Sequence, residues 1–239
     1  MNITPDTIVY WEAGPVRITA TLVFTWIVMA LLTGASWAVT RRLSVTVAPP
    51  RGQTLLEIVV DTIRGQIREV TGQDPDRHLP FVGTLFLFIA ASNTLAVLPG
   101  FHPPTGSLWT TSALALCVFL STPIFGIAER GLRGFLKGYL QPSPFMLPFN
   151  VLGELTRTVA LALRLFGNVM SGSMMAAAAL AVAPFFFPVV MNVLGLLIGL
   201  IQAYIFAVLA LVFIASAGEA HRQQAESAAK QGGMPGEQH

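Results

Sequence analysis

The chain reads as an all-α integral membrane protein: about five membrane helices plus one amphipathic helix lying at an interface. Three observations point there. Of 239 residues, 54% are hydrophobic and only 11% are charged, whereas a soluble domain carries about 25% charged residues. The apolar residues fall into long runs broken by proline, glycine and arginine, and the mean hydropathy is +0.66. One further segment repeats its apolar residues at steps of three and four and carries charges on its other face. The whole chain, 1–239, is read as a single membrane domain.

Residues 1–15 are short and mildly acidic, with Asp6 and Glu12. They lack the basic start and small-residue cleavage site of a signal peptide, so residues 16–39 read as a first span that is retained. Arg41, Arg42 and Arg51 follow. In residues 52–72 the apolar stripe Leu56, Val59, Val60, Ile63, Ile67 and Val70 faces away from Glu57, Asp61, Arg64, Arg68 and Glu69, the pattern of a helix that lies at an interface rather than crossing. Asp74, Pro75 and Pro80 end it.

Residues 81–98 form the second span, stopped by Pro99-Gly100, and 107–128 the third, interrupted near its end by Pro123. Arg130, Arg133 and Lys137 make a basic loop, and Pro142, Pro144 and Pro148 delay the next helix. Asn150 to Ala183 holds no proline. As one helix it would be about 50 Å long, against a hydrocarbon core of about 30 Å, so it either breaks near Gly167 or Gly172 or lies strongly tilted. Pro184 and Pro188 mark a turn into a second over-long apolar helix, 189–217. Residues 150–217 therefore read as an inclined hairpin. The polar segment 218–239 reads as a loose tail.

With five crossings, the arginines and lysines from Arg41 to Lys137 and those of the tail share one side, and Arg17 falls on the other. The positive-inside rule then sets the N-terminus outside and the C-terminus in the cytoplasm. The net charge of +2 marks no nucleic-acid surface, the lone Cys117 excludes an intrachain disulfide, and the four histidines show no metal spacing. No phosphate-binding glycine loop, nucleophile elbow or zinc-helix motif occurs. The chain is expected to hold no nucleotide, cofactor or metal, to be non-catalytic by itself, and to have the lipid bilayer, not nucleic acid, as its surroundings.

The chemistry concentrates in Leu161-Ala-Leu-Arg164-Leu-Phe-Gly167-Asn168-Val-Met-Ser171-Gly172. An arginine at membrane depth costs roughly 2.5–3.5 kcal/mol on insertion scales and cannot shed its proton. Arg164 must be paired, face water, or act on something, unless it snorkels, which the apolar turns on both sides disfavour. Glu154, Arg157, Leu161, Arg164 and Asn168 lie on one helical stripe, and Asn192, Gly195, Gly199 and Gln202 on another. Antiparallel packing in the hairpin brings Gln202 level with Arg164. Gln202 is either a path-lining amide or an interhelical hydrogen bond. The Gly195–Gly199 pair allows close backbone approach, either within the chain or to a partner.

Glu154-Leu-Thr-Arg157, Leu161-Ala-Leu-Arg164-Leu-Phe-Gly-Asn168 and Leu200-Ile-Gln202-Ala-Tyr-Ile-Phe206 closely resemble, in order and spacing, the hallmark segments of subunit a of F-type ATP synthases. Phe86-Leu-Phe-Ile, Ser-Asn93 and Leu98-Pro99-Gly100 resemble the family's second-span signature, and the likeness covers roughly residues 50–217. The resemblance implies a stator subunit in the bacterial plasma membrane. Its partners would be a rotating c-subunit ring, peripheral-stalk b subunits and the rest of the complex. Two offset half-channels would carry H+ or Na+ to and from the ring carboxylate. The two hairpin helices would lie strongly tilted along that ring, with Gly195 and Gly199 packing on it. Arg164 would face the ring carboxylate and keep the half-channels apart. Asn168 and Gln202 would line the aqueous path, with Glu154 on the inner side.

Where many members carry an acid and its His or Glu partner in the outer half-channel, this chain has Ser173 and Gly195, and a frequent tyrosine is Phe213. Asn93, Asn192, Ser171 and Ser173 are then the expected polar lining of the outer route, with no obligatory titrating relay. The alternatives outside this family are a stand-alone ion-coupled transporter that uses Arg164 to hold an anion, and a structural membrane scaffold with no ion path.

Overall fold

A computed structural model describes residues 9–13, 16–41, 51–72, 74–98, 100–140, 147–182 and 187–232. Its helices are α1 (Ala20–Thr40), α2 (Arg51–Thr71), α3 (Leu79–Leu95), α4 (Leu108–Leu140), α5 (Leu147–Val182) and α6 (Phe187–Gly232). Among the described residues, four stretches are long and apolar enough to cross a membrane: Ala20–Thr40, Leu108–Ala128, Val151–Ala178 and Val189–Ala215. The 17 residues of α3 add a fifth apolar helix, about 25 Å long and at the short end for a span. The protein is a multi-pass, almost wholly helical membrane protein.

Two differences from the sequence reading lie at the ends. Val9–Ala13 (β1) and Val16–Thr19 (β2) pair as a short antiparallel ribbon ahead of α1, with Val9 opposite Thr19 and Ala13 opposite Val16. The pattern was too brief to register as a strand pair. At the other end α6 continues as helix to Gly232, where a loose tail from Gly218 was expected. That segment is rich in Ala, Glu and Gln, all strong helix formers, and it grows from a turn already nucleated by the apolar part of α6.

Local chemistry explains the remaining boundaries. Gly72, at φ +62°, lets the chain leave α2, and its N–H donates to the Arg68 carbonyl at 2.9 Å. Pro123 sits inside α4 without ending it. The real break is at Gly131, whose φ of 72° and ψ of 163° are open only to glycine. Helix α5 starts at Leu147, earlier than expected, because Pro148 falls in its first turn, where a missing N–H costs nothing. It then runs unbroken past Gly167 and Gly172. Pro142, Pro144 and Pro184 lie outside the described residues.

Helix α6 is the hub. A first cluster joins Leu85 and Ile89 of α3, Val118 of α4, and Leu161 and Leu165 of α5 to Ala203, Phe206 and Ala210 of α6. A second joins Ile67 of α2 and Val82 of α3 to Ala207 and Leu211 of α6. Alanines at the contact positions of α6 let neighbouring helices approach closely, which matters where lipid supplies no hydrophobic drive for helix association. Helix α1 is peripheral: only Ala20, Thr21 and Val28 are buried, and Phe24 meets Phe101 edge-on at 4.8 Å.

Candidate functional site

Helix α5 carries two arginines two turns apart, and the fold treats them differently. Arg157 sits over the ring of Phe213 on α6, 5.8 Å from its centroid, a cation–π contact across the hairpin. Arg164, near the middle of the Val151–Ala178 stretch, is exposed. It has no hydrogen bond, ion pair or ring contact among the described residues. Around it the same helix leaves Val159 and Leu163 exposed, the latter at 54%. The guanidinium thus projects from an apolar surface, while Leu161, Ala162 and Leu165 beside it anchor α5 in the core. A charge in that position calls for water or a counter-charge.

On α6, Gln202 is buried, and its Nε2 has no hydrogen-bond partner among the described residues. The antiparallel pairing that brings Arg157 over Phe213 sets Gln202, to within about one turn, at the level of the Arg164–Asn168 turn. A buried amide N–H without a partner among the described residues is a natural donor to water or another oxygen acceptor. Asn168 is half-buried and Glu154 likewise, both on α5. Ser171 and Ser173 are exposed and fold their hydroxyls onto their own helix, Ser171 to the Asn168 carbonyl at 3.1 Å and Ser173 to the Met170 carbonyl at 2.8 Å. Asn192 is exposed on the first turns of α6, as is Gly195, with open space where a Cβ would stand.

Two candidates take a different place from the one expected. Gly199 is buried inside the chain: a Cβ there would stand 2.8 Å from the Asn93 Cβ, so its close approach serves α3 rather than an outside partner. Asn93 is correspondingly engaged, donating to the Gly199 carbonyl at 2.9 Å and accepting from the Thr105 hydroxyl at 3.0 Å. It braces α3 against α6 and is no open lining. Periodicity cannot reveal such a contact between distant segments; the only hint was an amide inside an apolar span. Sequence reasoning also missed the Arg157–Phe213 contact. Among the described residues no cluster of His, Cys, Asp or Glu could hold a metal.

The family model described as ATP synthase A chain matches residues 22–215, from the start of α1 to the last apolar turns of α6. This chain belongs to the ATP synthase A chain family. Among its relatives, ATP synthase subunit a 2 of Acaryochloris marina is 56% identical over 234 residues, covering 97% of this chain and 100% of the relative. ATP synthase subunit a 2 of a Picosynechococcus species is 59% identical over 218 residues, with 91% and 93% covered. ATP synthase subunit a of Albidiferax ferrireducens is 50% identical over 239 residues, with both chains fully covered. The matched span contains every site residue named above, and it takes in α5 and the apolar part of α6 as a continuous piece of the ATP synthase A chain.

Proposed function

We propose that Arg164 is the fixed cation past which the acidic groups of a c-subunit ring move, and that the chain forms the two half-channels serving that ring. The chain is an ATP synthase subunit a, the stator subunit of the F-type complex, and its work is to couple ion flow to rotation rather than to carry out catalysis itself. The observation that carries the reading is the exposed guanidinium without a partner among the described residues, midway along an apolar helix. A permanent cation facing a carboxylate at close range favours its ionised form. It also repels a cation that would pass straight from one half-channel to the other. Lysine would serve poorly, because it can lose its proton when desolvated.

Around this centre, Gln202 and Asn168 supply polar contacts to the ion path and Glu154 belongs to its inner half. Ser171, Ser173 and Asn192 border the outer half, and the open flank of Gly195 packs on the ring. The ion is H+ or Na+. The unbroken lengths of the apolar parts of α5 and α6, Val151–Ala178 and Val189–Ala215, are about 40 Å each. They exceed the roughly 30 Å hydrocarbon core, which supports a hairpin inclined along the ring. Charge distribution supports an external N-terminus and a cytoplasmic C-terminus in a bacterial plasma membrane. Peripheral-stalk b subunits complete the assembly.

The test is Arg164→Ala in the assembled complex. The variant is expected to co-purify with the c-ring and the soluble catalytic subunits, and to lose ATP-driven ion pumping into vesicles. Pumping at the wild-type rate would reject the role given to Arg164. Substrate uptake by the isolated chain in liposomes would favour a stand-alone transporter.

A further inference from the structure

A second feature lies away from the ion path, beneath α2. There α2, α3 and α6 enclose an open-sided cavity of about 150 Å³. Along α2 its wall runs from Ile58 to Ile67 and along α6 from Tyr204 to Leu211, with Val82 and Phe86 as its floor. The α2 wall is therefore roughly 13 Å long, so the space is a groove rather than a round pocket. Among the described residues no charged side chain lines it. Most of its polar oxygens are already bonded: Tyr204 Oη donates to Gln66 Oε1 at 2.6 Å, and Thr62 Oγ1 donates to the Ile58 carbonyl at 2.7 Å.

We infer that this groove binds one acyl chain of a bilayer lipid. Water is a poor occupant, since a water site needs two to four polar partners and an apolar cavity of this size stays dry. An empty groove would forfeit the dispersion contacts of its lining. The surroundings supply the occupant. The protein is multi-pass, and the rim residues Ile58 (57% exposed) and Tyr204 (45%) open the groove to the outside. Helix α2 turns Glu57, Asp61, Arg64, Arg68 and Glu69 outward, so the groove lies under a helix with a water-facing side. That is the depth at which acyl chains meet an interfacial helix. An elongated, side-open groove with a largely apolar lining matches an alkyl chain, whereas a charged ligand would find no counter-charge among the described lining residues.

The experiment uses the intact complex in phosphatidylcholine vesicles doped with a phosphatidylcholine whose acyl chain ends in a photoactivatable diazirine. After irradiation, peptide mass spectrometry should find adducts in residues 58–67 and 204–211 enriched several-fold over the outer face of α1 around Trp26 and Met29. Val208→Phe on the α6 wall and Thr62→Phe on the exposed face of α2 should each fill the groove and bring that labelling down to the α1 level. Labelling of α1 should stay the same in both variants, which reports that the chain is still folded in the bilayer. Labelling of the groove no higher than α1, or unchanged in both variants, overturns the inference. So does a photoreactive residue at position 62 that cross-links to another subunit's polypeptide instead of lipid. Ion pumping enters none of these readouts, so failure of the role given to Arg164 would leave the result intact.

Discussion

Asn93 of α3 and Gly199 of α6 are locked together twice: the Asn93 amide donates to the Gly199 carbonyl at 2.9 Å, and its Cβ fills the space a side chain at 199 would need. Thr105, in the buried 3-10 turn before α4, steadies the amide from behind. The lock lies one turn from Gln202, so it fixes how α6 presents that residue.

Gly199→Ala should destabilise the chain by about 1–3 kcal/mol, the usual range for overpacking. Asn93→Ala should cost about 1–2 kcal/mol through the lost hydrogen bond. The double variant should lose clearly less than the sum, because removing the Asn93 amide group relieves part of the crowding. Denaturant unfolding of the four proteins in detergent checks this; strict additivity would show that the two residues do not act as a pair.

The two arginines of α5 should separate in function. Arg157→Gln removes a partly exposed cation–π contact and should cost roughly 0.5–1 kcal/mol of stability, with ATP-driven pumping retained. Arg164→Lys should keep assembly and stability yet lose most pumping. Thermal unfolding and vesicle pumping, measured side by side, decide it; equal losses of pumping would contradict the asymmetry.

Ser173→Ala should leave coupled pumping close to normal. The hydroxyl is turned onto the Met170 carbonyl at 2.8 Å, where it donates to its own helix. A collapse of pumping in an otherwise assembled complex would show that this serine is an obligatory step of the outer route.

Arg64 binds Asp76 at 2.9 Å and approaches Asp61 at 4.0 Å, with all three side chains well exposed. Asp76→Asn should therefore change stability by less than about 1 kcal/mol, and less still at high salt. A larger effect that persists in salt would mean that the pair is buried in the assembly.

Gly131→Ala should straighten or destabilise α4 at a cost of about 1–3 kcal/mol, since its backbone conformation is essentially closed to other residues. Hydrogen exchange around residues 128–134 should register the change; no change would mean that the break does not depend on the glycine.

Helix positions were legible because apolar runs and three–four periodicity are local properties. Arg164 was legible for a similar reason: a lone charge in such a run stands out without any knowledge of its neighbours. Less visible was whatever depends on distant segments meeting, such as Asn93 against Gly199 or Arg157 over Phe213. The tail after Gly218 and the kink in α4 failed differently. The polar composition after Gly218 hid good helix formers, and Pro123 drew attention from Gly131, where the backbone actually turns.

Helix α6 is held on several flanks at once, by α2, α3, α4 and α5, whereas α1 touches little. Sideways drag applied to the outer surface of α5 would thus pass through a braced backbone instead of bending a lone rod. Mechanical load has somewhere to go, and softening that brace should let the subunit yield under torque before any residue near Arg164 is altered.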